Sequence, residues 1–256
     1  AKYGELWVGR RFTTEEAAQK YLIETRSVSE LEKFLAEKKP TVSLPGIDRT
    51  VDEKVSAHDR DNELSVFVSE QRLIKDDYEI AEMRHAVNAT ELGFADMMKV
   101  LQEATKHNRG ERVVEAAFFG RARTDGHDLG YETIAAAGSH ACVLHWIRND
   151  GKVKNGELML IDAGIEMESY YTADITRTIP VNGKYSPAQK SLYNLVYESQ
   201  RAGFEAIKPG VPFTEINKAC QKVLAHGLAD MGVLTVSAEE ALKPENGFHR
   251  RWTLHN

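Results

Sequence analysis

The segment LMLIDAGIEMESYYTADITRTIPV, residues 158–181, decides both the fold and the chemistry that we expect of this chain. Two β-rich stretches within it, Leu158–Asp162 and Tyr171–Val181, are joined by a short and more polar stretch. Sequential strands with a short connection pair antiparallel, because parallel strands need a longer crossover. The segment therefore predicts two neighbouring antiparallel strands.

Each of these strands carries an aspartate. Asp162 ends an apolar strand, where an ionised carboxylate is costly unless it is hydrogen-bonded, protonated or bound to a cation. Asp174 follows 12 residues later, and a chain reversal about Glu168 predicts that the two acids lie opposite one another. Side chains so opposed have Cβ atoms about 4.5–5.5 Å apart, and like charges there repel. One or two divalent cations would remove the repulsion, and oxygen ligands favour manganese, magnesium or calcium.

Two other interpretations of these acids remain open at this point. In one, an acid faces solvent. In the other, Asp174 bonds only to close neighbours, which are Thr172, Thr176 or Arg177. Two carboxylates without further ligands do not distinguish these interpretations from a metal site.

Histidines are the second candidates for chemistry. His145 alternates with apolar residues in Ala141–Ile147, which predicts a strand beside the one that carries Asp162. A buried neutral imidazole bonded to a carbonyl, and an acid–base or substrate-binding group, are the two roles that this position leaves open. We interpret His140 as an ordinary turn residue and His58 as a solvated loop residue.

Helices are predicted on both sides of the β-rich region, which also includes Tyr131–Ala136. Apolar residues at helical spacing and turn residues predict them at Asp76–Lys106, Glu111–Thr124, Pro187–Ile207 and Phe213–Met231, the last with Pro212 in its first turn. Helices grouped around sequential antiparallel strands are typical of an α+β domain.

Short elements are predicted in the first third of the chain. A hydroxyl and a carboxylate three residues apart predict two capped helices, at Thr13 with Glu16 and at Ser27 with Glu30. Pro40 is expected to end the second helix. Short strands are predicted at Glu5–Gly9 and Ser65–Val68, and the polar residues 46–63 are predicted to form a surface loop or an interdomain connection.

Composition argues against several classes of function. The 256 residues carry 33 Lys and Arg against 39 Asp and Glu, a net charge of −6, so no general basic field would attract nucleic acid or an anionic membrane. No apolar run approaches the roughly 18 residues that span a bilayer. The two cysteines, Cys142 and Cys220, cannot form a disulfide framework, which favours a reducing, cytoplasmic location.

Three segments resemble one family of enzymes. They are GSHACVLHW at 138–146, the longer stretch 158–196 that begins LMLIDAG, and FHRRWTLH at 248–255. They resemble the aminopeptidase P (Xaa-Pro aminopeptidase) branch of the pita-bread metallopeptidases, whose relatives are prolidase, methionine aminopeptidase and creatinase. The resemblance implies that residues 65–256 form a pita-bread catalytic domain that is incomplete at its C-terminus. Residues 1–64 resemble the last part of the smaller creatinase-like domain that precedes it.

The resemblance also implies a set of site residues. The family holds two divalent ions, usually manganese, with cobalt or zinc as alternatives, between two Asp, one His and two Glu. Asp162 would bind one ion and Asp174 would bridge both, although the spacing of these acids exceeds the commoner family spacing by one residue. His145 would lie beside the substrate and stabilise the transition state. His255 matches the first, catalytic histidine of a motif whose second histidine is a metal ligand.

The chain departs from the family after His255, since only Asn256 follows. Three of the five ligands are thus missing, and we expect both chain ends to be cut. We also expect these 256 residues by themselves to bind metal weakly and to turn over little or no substrate.

The activity implied by the resemblance is release of the N-terminal residue from peptides with proline in second position, by a hydroxide that the metal pair activates. Such peptides would be the partners, and the intact protein would form a homodimer or homotetramer. Two alternatives are a prolidase, which takes only dipeptides, and a non-catalytic pita-bread module that binds peptides or proteins. The retained Asp162, Asp174 and His145 speak against the module.

Overall fold

The computed structural model describes residues 4–40, 42–55 and 61–245. Contacts divide the chain into two units, Ala1–Lys75 and Asp76–Asn256, and each is described by itself. Three residues discussed above lie outside the described ranges, namely His58, His255 and Asn256. The interpretation of His58 and the role expected for His255 therefore stay predictions.

The first unit is helical over its described residues. Its helices are α1 (Glu5–Val8), α2 (Thr14–Tyr21), α3 (Leu31–Lys38), α4 (Arg49–Asp52) and α5 (Asp61–Gln71), with a 3-10 turn at Val28–Glu30. The capping box of Thr13 and Glu16 is confirmed at the start of α2. Ser27 instead accepts a hydrogen bond from the backbone of Ser29 and caps the 3-10 turn. The helix before Pro40 ends at Lys38, as expected.

Three predictions for this unit are wrong. Residues 5–8 are helical instead of extended, and the apolar run 65–68 lies inside α5. The polar stretch 46–63 contains α4 and the start of α5. Short apolar runs do not distinguish a strand from a helix by periodicity, and Asp61 and Glu63 supply the acidic first turn that favours a helix. The predicted domain boundary after residue 64 falls within α5.

The second unit combines helices with two small antiparallel sheets. Its helices are α6 (Asp77–Ala104), α7 (Gly110–Asp125), α8 (Pro187–Ala206), α9 (Phe213–Asp230) and α10 (Ala238–Ala241). Its strands are β1 (Asp128–Leu129), β2 (Ile134–Ala137), β3 (Leu158–Ala163), β4 (Ile165–Glu166) and β5 (Ile175–Pro180). One sheet has the order β2-β3-β5 and the other pairs β1 with β4, all antiparallel. The α+β prediction is confirmed.

The core of this unit lies between the helix pair α6–α7 and the sheets. Asp76 and Glu79 form a capping box that starts α6. A Cβ at Gly93 would lie 2.5 Å from the ring of Phe118, so glycine lets the two helices approach closely. The buried apolar side chains of this core include Met97, Leu101, Val114, Phe118, Met159, Ile161 and Ile165.

Helices α8 and α9 pack against each other and carry much exposed apolar surface. Ser186 caps α8, and Pro187 occupies its first turn. Pro212 is the N-cap of α9, one position before the predicted first turn. The exposed apolar side chains of α8 include Leu192, Tyr193, Val196, Tyr197 and Phe204.

None of the helices in the described part of the chain is long and apolar enough to cross a membrane.

The strand predicted at Ala141–Ile147 is wrong. Gly138–Cys142 is a 3-10 turn, and the chain then runs irregularly to β3. The strand that neighbours β3 is β2, and its Ile134 lies opposite Asp162. The segment 138–151 takes its shape from buried polar side chains and not from strand pairing, which alternation of apolar residues cannot reveal.

A glycine brings the chain segments that carry the two aspartates together. The tip between them, residues 167–171, closes with a hydrogen bond from the Met167 amide to the Tyr171 carbonyl at 2.9 Å. A Cβ at Gly164 would lie 1.6 Å from the backbone oxygen of Ala173. No side chain fits there, so glycine is required for this approach of the two backbones.

Candidate metal centre

Asp162 and Asp174 lie on the same side of the sheet but are not opposite one another. The residue opposite Asp162 is Thr176, and Asp174 lies two positions away, just before β5 begins. The predicted direct opposition is therefore wrong. The turn at 167–171 pairs Asp162 with Thr176 instead of Asp174, a shift of two residues from the predicted pairing. The aspartates are therefore diagonal neighbours, and side chains in this relation can still meet.

Tyr131 joins the two carboxylates. Its hydroxyl lies 2.6 Å from Oδ1 of Asp162 and 2.8 Å from Oδ1 of Asp174. The other oxygen of Asp162 accepts a hydrogen bond from Thr176 Oγ1 at 2.7 Å. Tyr131 is held in place because the amide of Gly130 donates to the carbonyl of Gly164 at 2.9 Å.

Tyr131 cannot donate to both carboxylates at once, because a phenol has one hydrogen. Burial, followed by the two carboxylates, raises the pKa of Tyr131 above its usual range, so the phenol stays protonated. When both carboxylates are ionised, the second short contact between oxygens has no proton. A divalent cation bound by oxygen ligands supplies the positive charge that this contact lacks.

The donor set fits a cation in part. Asp162 is half-buried and Asp174 is exposed, so the carboxylates are accessible from solvent. Within the described ranges, no group of three or more His, Cys, Asp or Glu side chains is arranged to hold a metal ion. Two carboxylates do not complete a metal site by themselves, and the ligand roles expected of Asp162 and Asp174 stay a prediction with which this geometry is compatible.

His145 lies on the irregular segment and not on a strand. Its side chain is exposed, so the interpretation as a buried core imidazole is wrong. The amide of Ile147 donates to the carbonyl of His145 at 3.0 Å, so the backbone turns tightly at this residue. The next residue, Trp146, is anchored to the interior by its indole nitrogen.

The buried carboxylate of Glu111, in the first turn of α7, is that anchor. It is fully buried and accepts four N–H hydrogen bonds. One oxygen accepts from the amide of Ala137 and from His140 Nδ1, each at 2.8 Å. The other accepts from the indole of Trp146 at 2.9 Å and the amide of Gly151 at 2.7 Å. His140 is therefore not an ordinary turn residue.

Sequence reasoning missed Tyr131 and Glu111. Tyr131 stands three residues before β2, and no motif in the neighbouring sequence marks it as a site residue. Glu111 resembles the acidic residues that favour any first helical turn. Their partners lie 15 or more residues away in the sequence, so only the fold reveals them.

Comparison with known proteins identifies the family of this chain. Residues 81–249 match the model of metallopeptidase family M24. The chain is 48% identical to Xaa-Pro aminopeptidase 1 of Streptomyces coelicolor over 98% of its length and 51% of that protein. It is 33% identical to Xaa-Pro aminopeptidase of Haemophilus influenzae, covering 98% of the chain and 59% of that protein. The chain thus spans about half the length of the curated relatives it matches.

Solved structures show the same fold. Zinc-substituted Escherichia coli aminopeptidase P in complex with product superimposes with a TM-score of 0.79 and 28% identity, over 96% of this chain and 59% of that one. Pseudomonas aeruginosa aminopeptidase PepP gives a TM-score of 0.76 and 29% identity, over 93% and 57%. The resemblance to the aminopeptidase P branch and the pita-bread fold are confirmed, and the chain belongs to metallopeptidase family M24.

Proposed function

We propose that the protein containing this chain is a metal-dependent Xaa-Pro aminopeptidase, which releases the N-terminal residue from peptides with proline in second position. The observation that carries the proposal is the convergence of the Asp162 and Asp174 carboxylates on one hydroxyl, that of Tyr131. Two acids that share a single proton donor are suited to share a cation. The named relatives, which are Xaa-Pro aminopeptidases, supply the substrate class.

Asp162 and Asp174 would hold two divalent ions, with Asp174 bridging them. Manganese is the metal proposed, and cobalt and zinc are the alternatives. The metal titration described below distinguishes them. When bound, such ions supply Lewis-acid polarisation of the scissile carbonyl and a water of lowered pKa. The further ligands that a dinuclear site needs are not among the described residues.

The remaining site residues orient these ligands and the peptide. Thr176 donates to Asp162 and so fixes the direction of the carboxylate. His145 is proposed to lie beside the bound peptide and to donate to the oxygen that gains charge in the transition state. His255, outside the described residues, is proposed as the second catalytic histidine. Residues 1–64 and 65–256 are proposed as the end of a creatinase-like domain and as the catalytic domain.

Location and assembly are proposed on less direct grounds. Both cysteines, Cys142 and Cys220, are free thiols in the structure, which supports the cytoplasmic location. A homodimer or homotetramer is the proposed assembly, and peptides are the proposed partners. The acidic balance of charges supports a protein that binds neither nucleic acid nor membrane.

The test uses the full product of the gene that encodes this chain. The protein is freed of metal with a chelator, titrated with manganese, cobalt or zinc, and assayed on an Xaa-Pro tripeptide, an Xaa-Pro dipeptide and an Xaa-Ala tripeptide. We expect metal-dependent cleavage of the Xaa-Pro tripeptide and little cleavage of the Xaa-Ala tripeptide. Cleavage of the dipeptide alone would identify a prolidase, and no cleavage with any metal would favour a binding module.

Variants separate the site from general damage. Asp162→Asn and Asp174→Asn are expected to lower kcat/KM by at least about a hundredfold, because each removes a charged ligand. Asp230→Asn makes the same chemical change at an exposed position at the end of α9 and is the matched control. Full activity in either site variant would contradict the proposal.

A further inference from the structure

The segment 137–151 is held by an interaction that the proposed chemistry does not use. The Glu111 carboxylate accepts hydrogen bonds from residues 137, 140, 146 and 151. Its own amide donates to the carbonyl of Gly151 at 3.2 Å. One buried side chain on α7 thus contacts the start, the middle and the end of a segment without regular strand pairing.

The four bonds to Glu111 use all the acceptor positions of a carboxylate. Three of the partners are N–H groups that can only donate, and His140 Nδ1 is the fourth donor in the tautomer that carries its proton on this nitrogen. A buried carboxylate bonded this completely is compensated for its loss of hydration. A neutral amide in the same place would turn an NH2 group toward two of the donors. The site is therefore specific for a carboxylate and not merely for a side chain of this shape.

The same segment carries exposed residues between its anchors. The ring of His140 stacks on Trp146 with centroids 3.9 Å apart, and both rings bond to Glu111. Between these two anchors, Val143 and Leu144 are about half exposed, and His145 is exposed as well. His145 thus occupies the position directly before an anchored tryptophan.

A second buried side chain closes the segment independently. Asn149 accepts from the amide of Ala135 at 2.9 Å and donates to the carbonyl of Thr133 at 2.8 Å. It has a φ of 45°, a left-handed conformation that asparagine tolerates better than most residues. Because Asn149 ties the end of the segment to β2, loss of Glu111 would release the anchored part without detaching its end.

We propose that Glu111 is a positioning residue: its buried carboxylate holds residues 137–151 in one conformation, and this conformation determines where the side chain of His145 is presented. The inference rests on the proposed function in one respect, that His145 acts on bound peptide. Glu111 itself lies beneath the segment, fully buried, and acts through the residues bonded to it.

Amide hydrogen exchange tests the first half of this inference without any need for activity. Glu111→Gln is compared with the parent protein and with Glu115→Gln, one turn further along α7, where the same change leaves all four anchoring bonds intact. Exchange within 138–151 is expected to rise by at least about tenfold in Glu111→Gln, while α7 and β3 stay protected. Unchanged exchange in this segment would overturn the inference.

A second pair of variants decides the question if Glu111→Gln does not fold. The side chain of His140 is one-third exposed, so its replacement leaves the core intact. His140→Ala removes one donor to Glu111, whereas His140→Asn keeps an N–H group near the position of Nδ1. Faster exchange in the alanine variant, with recovery in the asparagine variant, is expected. Equal exchange in the two would count against a role for this anchor.

A double-mutant cycle tests the second half. In the full gene product, Glu111→Gln is expected to lower kcat/KM for an Xaa-Pro tripeptide by about tenfold or more, and to have little further effect once His145 is alanine. Multiplicative effects would show that Glu111 does not act through His145. If the parent protein cleaves no such peptide, the proposed function fails, and hydrogen exchange still decides whether Glu111 holds the segment.

Discussion

Two clusters in the second unit, one around Glu111 and one around Asp162 and Asp174, differ in the number of hydrogen-bond donors that contact their carboxylates. Glu111 is one fully buried carboxylate with four N–H donors. Asp162 and Asp174 are two more accessible carboxylates, and the donors to them among the described residues are two hydroxyls, those of Tyr131 and Thr176. The first cluster is saturated with donors, and the second is deficient in them.

This difference separates a structural carboxylate from a ligand. A carboxylate with four donors has no lone pair left for a cation, and its solvation is replaced by the protein. A pair of carboxylates with two donors retains open acceptor positions and unbalanced negative charge, which a divalent cation can fill. The number of donors for each acid therefore distinguishes the acids that we propose as metal ligands from the buried one, even though all three residues are acids close to the sheet.

The largest effect is expected from Glu111→Ala. It leaves four N–H groups, one buried and three partly buried, without this acceptor, which is expected to lower the free energy of unfolding by about 3–5 kcal/mol. Chemical denaturation followed by circular dichroism measures the change. Glu115→Ala, on the same helix, is expected to change it by less than about 1 kcal/mol. Similar losses in the two variants would remove the distinction between the clusters.

The opposite result is expected for the aspartates. In the full gene product, Asp174→Asn should weaken manganese binding by at least about tenfold, which is about 1.4 kcal/mol. It should leave the metal-free stability unchanged or slightly higher, because it removes a like charge from beside Asp162. Isothermal titration calorimetry and thermal unfolding without metal give the two quantities. If Asp174→Asn destabilised the metal-free protein as strongly as Glu111→Ala does, Asp174 would be a structural residue.

A smaller effect is expected for Tyr131→Phe. Without the hydroxyl, the metal-free carboxylates lose their shared donor, at a cost of about 1 kcal/mol. Excess manganese should recover most of that loss, since the cation then neutralises both acids. Melting temperatures of the variant and the parent, each with and without manganese, measure this. If the melting temperature of the variant stayed equally far below that of the parent with manganese bound, Tyr131 would stabilise the fold by packing and not by its hydroxyl.

Tyr171 provides the smallest and most local comparison, because its hydroxyl donates to one carboxylate, that of Glu79, at 2.6 Å. This hydrogen bond, followed by burial, raises the pKa of Tyr171 from 10.0 to about 12. The bond therefore contributes its full stabilisation below pH about 10 and loses it as the pH rises through about 12.

Ultraviolet titration of the phenols measures this shift, with Tyr171→Phe identifying the signal. Glu79→Gln removes the charge but keeps a side chain suited to the capping box of α6. It is expected to move the midpoint back toward 10. A midpoint near 10 in the parent protein would show that the pair does not form in solution.

The sequence was a good guide where local pattern and tertiary structure agree. Helices α6 to α9 begin and end within a few residues of their predicted limits, because apolar spacing and capping residues there match the packing. It failed where the apolar pattern was short. Residues 65–68 lie in a helix, and residues 141–147 are irregular.

The candidate site shows the same division. The strand segment 158–163 and the two acids could be identified from residues alone, since a carboxylate at the end of an apolar strand is unusual. Their diagonal relation could not, because it depends on the length of the turn at 167–171. Tyr131 and Glu111 could not be found either, because their roles arise from long-range contacts.

Gly164 has a consequence for protein design. Its missing Cβ lets the backbone of Ala173 approach, and that approach carries Asp174 toward Asp162. Transplanting this pair of acids onto another antiparallel sheet would therefore require the glycine, which bears no functional group, as well as the two aspartates. A grafting protocol that copies only side chains with donor atoms would reproduce the ligands and lose the distance between them.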